Sequence, residues 1–237
     1  ISENLDKIDS VPPSAPPKRH NWRIEGPFDS TYSLALLNRE TARALVDAGE
    51  HVLIHSSEGP GDYHPDEAFL EASHGDILKI WQDSIQDTSV RPDVVSRNMY
   101  PPRVNDMVGR DKLLHHYAWE ESRFPSEWVD DFNTHLDGIT CLSTHVQKVL
   151  RDSGVFIPMR VSGCGVDHWE RIEASQGQNF LGKSFRFLHV SSCFPRKGAD
   201  ALVQAYGKAF RNTDDVSLLI KTFRNPHNEI DQWIEDA

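Results

Sequence analysis

The chain contains no uninterrupted apolar run of about 18 residues, so no membrane-spanning helix is expected and a soluble protein is. Its first residues, Ile1-Ser2-Glu3-Asn4, lack the basic-then-apolar pattern of a secretion signal. They also lack an initiator methionine, which reads as a piece cut from a longer protein. Cations are in short supply: 25 Lys and Arg against 36 Asp and Glu give a net charge of −11, the wrong balance for a polyanion binder. Nucleic acid is therefore not an expected partner. Three cysteines, Cys141, Cys164 and Cys193, form no C-x-x-C pair and leave an odd number, so reduced, mostly buried thiols and a cytoplasmic location are expected. None of the 12 histidines falls in H-E-x-x-H spacing, and no metal is expected. A dinucleotide fingerprint is missing too: Gly26-Pro27-Phe28-Asp29-Ser30-Thr31, after the first expected strand, supplies one glycine where G-x-G-x-x-G needs three, which disfavours a nicotinamide cofactor.

What is present is an α/β pattern. At 237 residues, 38% of them hydrophobic and 26% charged, the chain suits one large domain or one domain with part of another. Residues 1–20 include S-V-P-P-S-A-P-P-K from Ser10 to Lys18 and read as an extended proline-rich linker. Asn21 to Glu25 predicts a strand, Gly26 to Asp29 a turn, and Ser30 or Ser33 the cap of a helix running to about Ala48 with Leu34, Leu37, Thr41 and Leu45 on one face. Gly49 ends that helix and His51 to His55 is the next strand, a β-loop-α-β opening that implies a parallel sheet. Further strands are expected at Asp93–Ser96, Lys112–His116, Gly138–Leu142 and Ile157–Val161, with helices near Pro125–Phe132 and Thr144–Ser153. These make residues 21–170 a doubly wound domain. Residues 171–183 read as a polar linker, and residues 184–237 open a second βαβ unit through Phe185–Val190, Ala199–Phe210 and Val216–Ile220. Only 17 residues follow Ile220, so that second domain is expected to be incomplete.

Four places carry candidate chemistry. Ser192-Cys193-Phe194-Pro195-Arg196-Lys197-Gly198 joins an expected strand to an expected helix and gathers cationic side chains with free backbone N–H groups, which suits a phosphate. Gly26 allows close approach of backbone to a ligand, although a plain turn glycine has the same signature. His115 and His116 end a strand, where open α/β sheets bind ligands; alternation sends one of them inward, and Glu120 and Glu121 follow as hydroxyl partners or helix caps. Gly163, Gly165 and Asp167 follow another strand, as a ligand loop or a structural crossover. Gly177-Gln178-Asn179-Phe180-Leu181-Gly182-Lys183-Ser184 matches G-x-x-x-x-G-K-S, but polar residues precede it and a strand pattern follows, the reverse of a P-loop.

In this order, Ile24 to Ser30, Asn98 to Pro102, His115 to Glu121, Ser143 with its helix, Gly163 to Asp167, and Pro195 to Gly198 resemble the retaining glycosyltransferases of the GT-B fold, family 4. The resemblance implies two Rossmann-like domains, the first complete here and mainly holding the acceptor, the second only begun here and holding the nucleotide-sugar. It implies that Gly26 lies near the donor diphosphate, that His115 or His116 contacts the transferring sugar, and that Lys197, with Arg196, neutralises the diphosphate. Phe28, Ser30, Glu120, Gly163, Gly165 and Asp167 would line the cleft. Many members carry arginine where this chain has Ser191, six positions before Lys197, and the family's E-x7-E region falls beyond Ala237. The resemblance thus implies a nucleotide-sugar donor, a glycan or lipid-linked acceptor, no cofactor and no metal. It also implies work in the cytoplasm or at the inner face of the membrane, further domains in the parent, and a fragment inactive alone. A P-loop hydrolase and a non-catalytic glycan-binding scaffold are the rival expectations.

Overall fold

In the computed structural model, residues 19–87, 89–173 and 182–237 are described, so the proline-rich segment lies almost wholly outside them. The chain divides between Arg171 and Ile172 into two compact units.

The first unit is a sheet of seven strands flanked by helices. Chain order runs β1 (Asn21–Gly26), α1 (Ser33–Asp47), β2 (His51–Glu58), β3 (Gly61–Asp62), α2 (Glu67–Ser73), α3 (Gly75–Gln86), β4 (Val94–Arg97), β5 (Asp111–Tyr117), α4 (Ser126–His135), β6 (Gly138–Cys141), α5 (Thr144–Asp152) and β7 (Met159–Val161). Spatial order is β3-β2-β1-β4-β5-β6-β7, every pair parallel except the β2–β3 hairpin. The chain reverses its direction of growth between β1 and β4, the position at which open α/β sheets hold ligands. Strands covered on both faces cannot alternate: Ile24, Glu25 and Gly26 are all buried, as is every residue of β4.

Two apolar clusters hold the sheet. Ile24, Val52, Ile54, Leu70, Ile77 and Trp81 join β1 and β2 to α2 and α3. Val95, Leu114, Ile139, Phe132 and Leu150 join β4 to β6 with α4 and α5. Residues between β2 and β4, for which the sequence predicts no element, form α2 and α3; Asp66 caps α2 by accepting a hydrogen bond from Phe69 N at 3.0 Å. At α5 the cap is Ser143, whose Oγ accepts from Val146 N.

Helix α1 departs from expectation twice. Neither Ser30 nor Ser33 caps it: Tyr32 occupies that position without a side-chain cap, and Ser30 Oγ is buried without a partner. Nor does the leucine stripe form the buried face, which consists of Ala35, Asn38, Arg39 and Ala42. The leucines are half-exposed because Asn38 and Arg39 are drawn inward by backbone carbonyls of the loop after β1.

The second unit is β8 (Phe185–Val190), α6 (Ala199–Ala209), β9 (Val216–Lys221) and α7 (Ile230–Glu235), its two strands parallel with Phe185 opposite Val216. Phe187 packs edge-on against Tyr206 and tilted against Phe210. Val203, Tyr206, Phe210, Leu218 and Ile234 border a cavity of about 580 Å³. Among the described residues no helix is long and apolar enough to cross a membrane. Of the three thiols, Cys141 and Cys193 are buried, but Cys164 is exposed.

Candidate functional site

Beneath the carboxyl edge of the first sheet lies a closed polar network. Gly26 ends β1 with φ +141°, and a Cβ there would stand 2.3 Å from Asn98 O and 2.5 Å from Asn38 Nδ2. Asn38 Nδ2 donates to Pro27 O at 2.8 Å and Asn98 O at 3.0 Å, so its Oδ1 is the free acceptor. His115 Nε2 lies 2.8 Å from that oxygen and must carry the proton; its Nδ1, 2.8 Å from Ser96 Oγ, accepts from the hydroxyl. Burial, and secondarily His116, push the His115 pKa down to about 3. His115 is thus a neutral tie between β5, β4 and α1, not positioned to touch a ligand.

The pH dependence follows from that depression. In the unfolded chain the imidazole protonates near its ordinary value of about 6.5, whereas in the folded chain it stays neutral to about pH 3, so the unfolded state binds the extra proton between those values. Stability is fully present above the unfolded value and is lost as pH falls from it towards 3, by at most about 1.4 kcal/mol per pH unit from this group. Urea midpoints of the protein and of His115→Gln, whose amide can still donate to Asn38, are expected to converge on acidification from pH ~6.5 to ~4. Parallel curves would show that His115 is not buried neutral.

His116 goes outward. Pairing of β5 with β6 is irregular between Leu114 and Tyr117, and His116 sits in that irregularity with φ +48°, a conformation a histidine adopts at a cost of roughly 1 kcal/mol or more. Its backbone N–H donates to Thr140 Oγ1 at 2.9 Å, and its half-buried ring places Nδ1 2.9 Å from Ser162 Oγ. Ser162 follows β7 directly, with its own N–H bonded to Cys141 O. Gly163 comes next with φ +70°, Gly165 is exposed, and Asp167 opens the short turn Asp167–Arg171. Glu120 is exposed in the segment after β5.

The loop after β1 is held from within. Phe28, expected to line a cleft, is fully buried, and it and Ser30 contribute their carbonyls instead: Arg39 Nη1 donates to both at 2.7 Å. Burial, and then the neighbouring Arg43, lower the Arg39 pKa below the ordinary guanidinium value. Asp29 faces the β3–α2 segment, accepting from Tyr63 Oη at 3.1 Å and Asp66 N at 2.7 Å. Beside Gly26, the buried Glu25 carboxylate meets Arg97 Nη2 and Arg23 Nη2, each at 2.5 Å. Arg97 also reaches Asp106 Oδ1 at 2.5 Å and the Arg103 carbonyl.

In the second unit, Ser191 follows β8 directly, with Oγ 2.7 Å from His189 Nε2 and accepting from Cys193 N at 3.1 Å. Pro195–Lys197 make one tight helical turn closed by Gly198 at φ +66°, and α6 begins at the next residue. Arg196 and Lys197 are exposed on that turn. The loop after β9 braces it: Asn225 Nδ2 donates to Ser192 O at 2.8 Å, and the rings of Phe194 and His227 pack tilted with centroids 5.5 Å apart.

No protein-family model matches the chain, and no curated protein matches it. Much of Gly177–Ser184 lies outside the described residues. Its Lys183 donates to Asn212 O and to Asp214 O at 2.6 Å, and a strand, β8, follows Ser184.

Four residues were not foreseen as parts of these sites: Asn38, Ser96, Thr140 and Asn225. All are short polar side chains whose roles rest on contacts between residues distant in sequence. The mid-helix Asn38 beside Arg39 was the one local signal, since polar side chains there compete with a leucine stripe.

Proposed function

We propose that the protein is a glycosyltransferase of the GT-B type, retaining anomeric configuration and using a nucleotide-sugar donor with a glycan or lipid-linked acceptor. The observation that carries this reading is the basic turn after β8. Lys197 and Arg196 stand at the start of α6, where cationic side chains and unpaired helix N–H groups favour a diphosphate. A leaving nucleoside diphosphate gains charge as the glycosidic bond breaks, and pre-placed cations stabilise it without needing a protein base. The first unit supports the same reading with Gly26 at the strand-order reversal and with His116 turned outward at the end of β5. No cofactor, metal or nucleic acid enters this scheme. A site at the cytoplasmic face of a membrane fits a lipid-linked acceptor.

Ser191 offers a hydroxyl tied to His189 where the family's arginine would stand, so diphosphate grip falls on Lys197 and Arg196. Titration of UDP, GDP and ADP into isotopically labelled protein is expected to shift the amide resonances of residues 196–202. Lys197→Ala is expected to weaken binding by about tenfold, the loss of one charge-assisted hydrogen bond, whereas Lys183→Ala leaves it unchanged. Absence of any shift at millimolar nucleotide, together with no sugar transfer, rejects the reading and favours a non-catalytic scaffold. Loss of binding in Lys183→Ala alone favours a P-loop.

A further inference from the structure

The side-chain pair at the ends of β5 and β7 decides which nitrogen of His116 faces outward. Among the described residues, Ser162 Oγ has three hydrogen-bonding neighbours: His116 Nδ1 at 2.9 Å, Cys141 O at 3.2 Å and Gly163 O at 3.3 Å. A hydroxyl owns one proton, and carbonyl oxygens only accept. If that proton went to His116 Nδ1, neither carbonyl contact of the hydroxyl would carry a proton and one hydrogen bond would form in place of two, with Cys141 O keeping its bond from Ser162 N. If it goes to the Cys141 carbonyl, then His116 Nδ1 must donate to Ser162 Oγ, and two of the three contacts become hydrogen bonds, with only the longest, to Gly163 O, left without a proton. The second arrangement leaves the neutral ring with its lone pair on Nε2, for which no described residue supplies a hydrogen bond. The backbone holds the ring there: its N–H is fixed on Thr140 and its φ of +48° turns the side chain out of the strand's alternation.

We propose that Ser162 is a positioning residue that locks His116 as the Nδ1–H tautomer, making Nε2 a hydrogen-bond acceptor for a ligand hydroxyl. This rests on the glycosyltransferase reading for the identity of that ligand, a hydroxyl of the transferred sugar. It does not rest on it for the tautomer. The neighbouring histidines are thereby set in opposite forms: His115 carries its proton on Nε2, fixed by Asn38, and His116 on Nδ1, fixed by Ser162. A protonated or Nε2–H imidazole at the second position would donate instead, and would repel the proton of a sugar hydroxyl already committed to it.

Long-range nitrogen–proton correlation on protein labelled with ¹⁵N-histidine distinguishes the tautomers, read at about pH 8, where an ordinary imidazole is neutral. His116→Gln assigns the resonance by its disappearance. The native protein is expected to show His116 protonated on Nδ1, Ser162→Ala to shift it towards Nε2–H, and Ser162→Thr to restore it. A native Nε2–H form, or a Ser162→Ala spectrum unchanged at His116, overturns the proposal. On the ligand side, Ser162→Ala is expected to weaken a nucleotide-sugar by about tenfold while leaving the bare nucleoside diphosphate unaffected, since one hydrogen bond to the sugar is lost. Equal affinity of the variant for the nucleotide-sugar overturns the assignment of Nε2 to a sugar hydroxyl. Correct tautomers with no nucleotide bound by any variant reject the glycosyltransferase reading and leave the role of Ser162 intact.

Discussion

Glu25→Gln is expected to destabilise the first unit by about 3 kcal/mol, because it neutralises one partner of a buried ion pair and strands the other. Side-chain exposure is 1% for Glu25 and 3% for Arg97, so water cannot replace what the substitution removes. Arg97 would retain the Arg103 carbonyl and one carboxylate, Asp106, which is nearly half-exposed and shared with Arg103. Arg23 would also lose its 2.5 Å contact, but it is more exposed and would lose less. The whole pair is a different matter. Replacing both Glu25 and Arg97 by leucine removes the desolvation cost together with the attraction, and is expected to be less damaging than Glu25→Gln despite changing more atoms. Urea unfolding at neutral pH checks both statements. A Glu25→Gln protein within about 0.5 kcal/mol of the parent would mean that the pair is hydrated in solution.

The limits of sequence reasoning show in this same pair. The strand positions were legible because parallel strands are dense in β-branched and aliphatic residues: Phe185–Val190 appears with the boundaries expected, and β5 and β6 within a residue at each end. Glu25 and Arg97 are 72 residues apart, and nothing local marks either as buried; only the β1–β4 register, which sets Glu25 against Arg97, brings them together. Helix α1 failed for a related reason. Its leucines make the obvious stripe, yet hydrogen bonds from Asn38 and Arg39 to loop carbonyls rotate the helix so that a polar pair lies inward. The site divided in the same way. The basic turn at Pro195–Gly198 is continuous in sequence and could be read directly, whereas the pairing of His116 with Ser162 spans 46 residues and depends on how β5, β6 and β7 align. Of the two adjacent histidines, alternation predicted that one would turn inward, but which one depended on Asn38 and Ser96.

Gly26→Ala is expected to be the most damaging single-methyl change in the first unit, costing about 4 kcal/mol from backbone strain and overpacking together. Two penalties act at once. At φ +141° an L-residue is strained whatever the space around it, and here the added carbon would also fall 2.3 Å from the Asn98 carbonyl oxygen. That oxygen belongs to backbone at the end of a fully buried strand and cannot swing aside. The other close atom, Asn38 Nδ2 at 2.5 Å, can move only by abandoning Pro27 O and Asn98 O, which would unseat the Oδ1 that holds His115. Gly163→Ala is the natural control, because its φ of +70° is also positive but a Cβ there meets nothing within 4 Å. It should cost only the left-handed penalty of about 1 kcal/mol. Denaturant midpoints of the two variants are expected to differ several-fold in their shifts, and the His115 Nε2–H resonance should move in Gly26→Ala but not in Gly163→Ala. Equal shifts would mean that β1 and β4 do not approach this closely, and that the glycine serves the turn alone. A large Gly26 effect with an undisturbed His115 would instead place the yielding in the strand, away from Asn38, separating the glycine's steric role from the polar network beneath it.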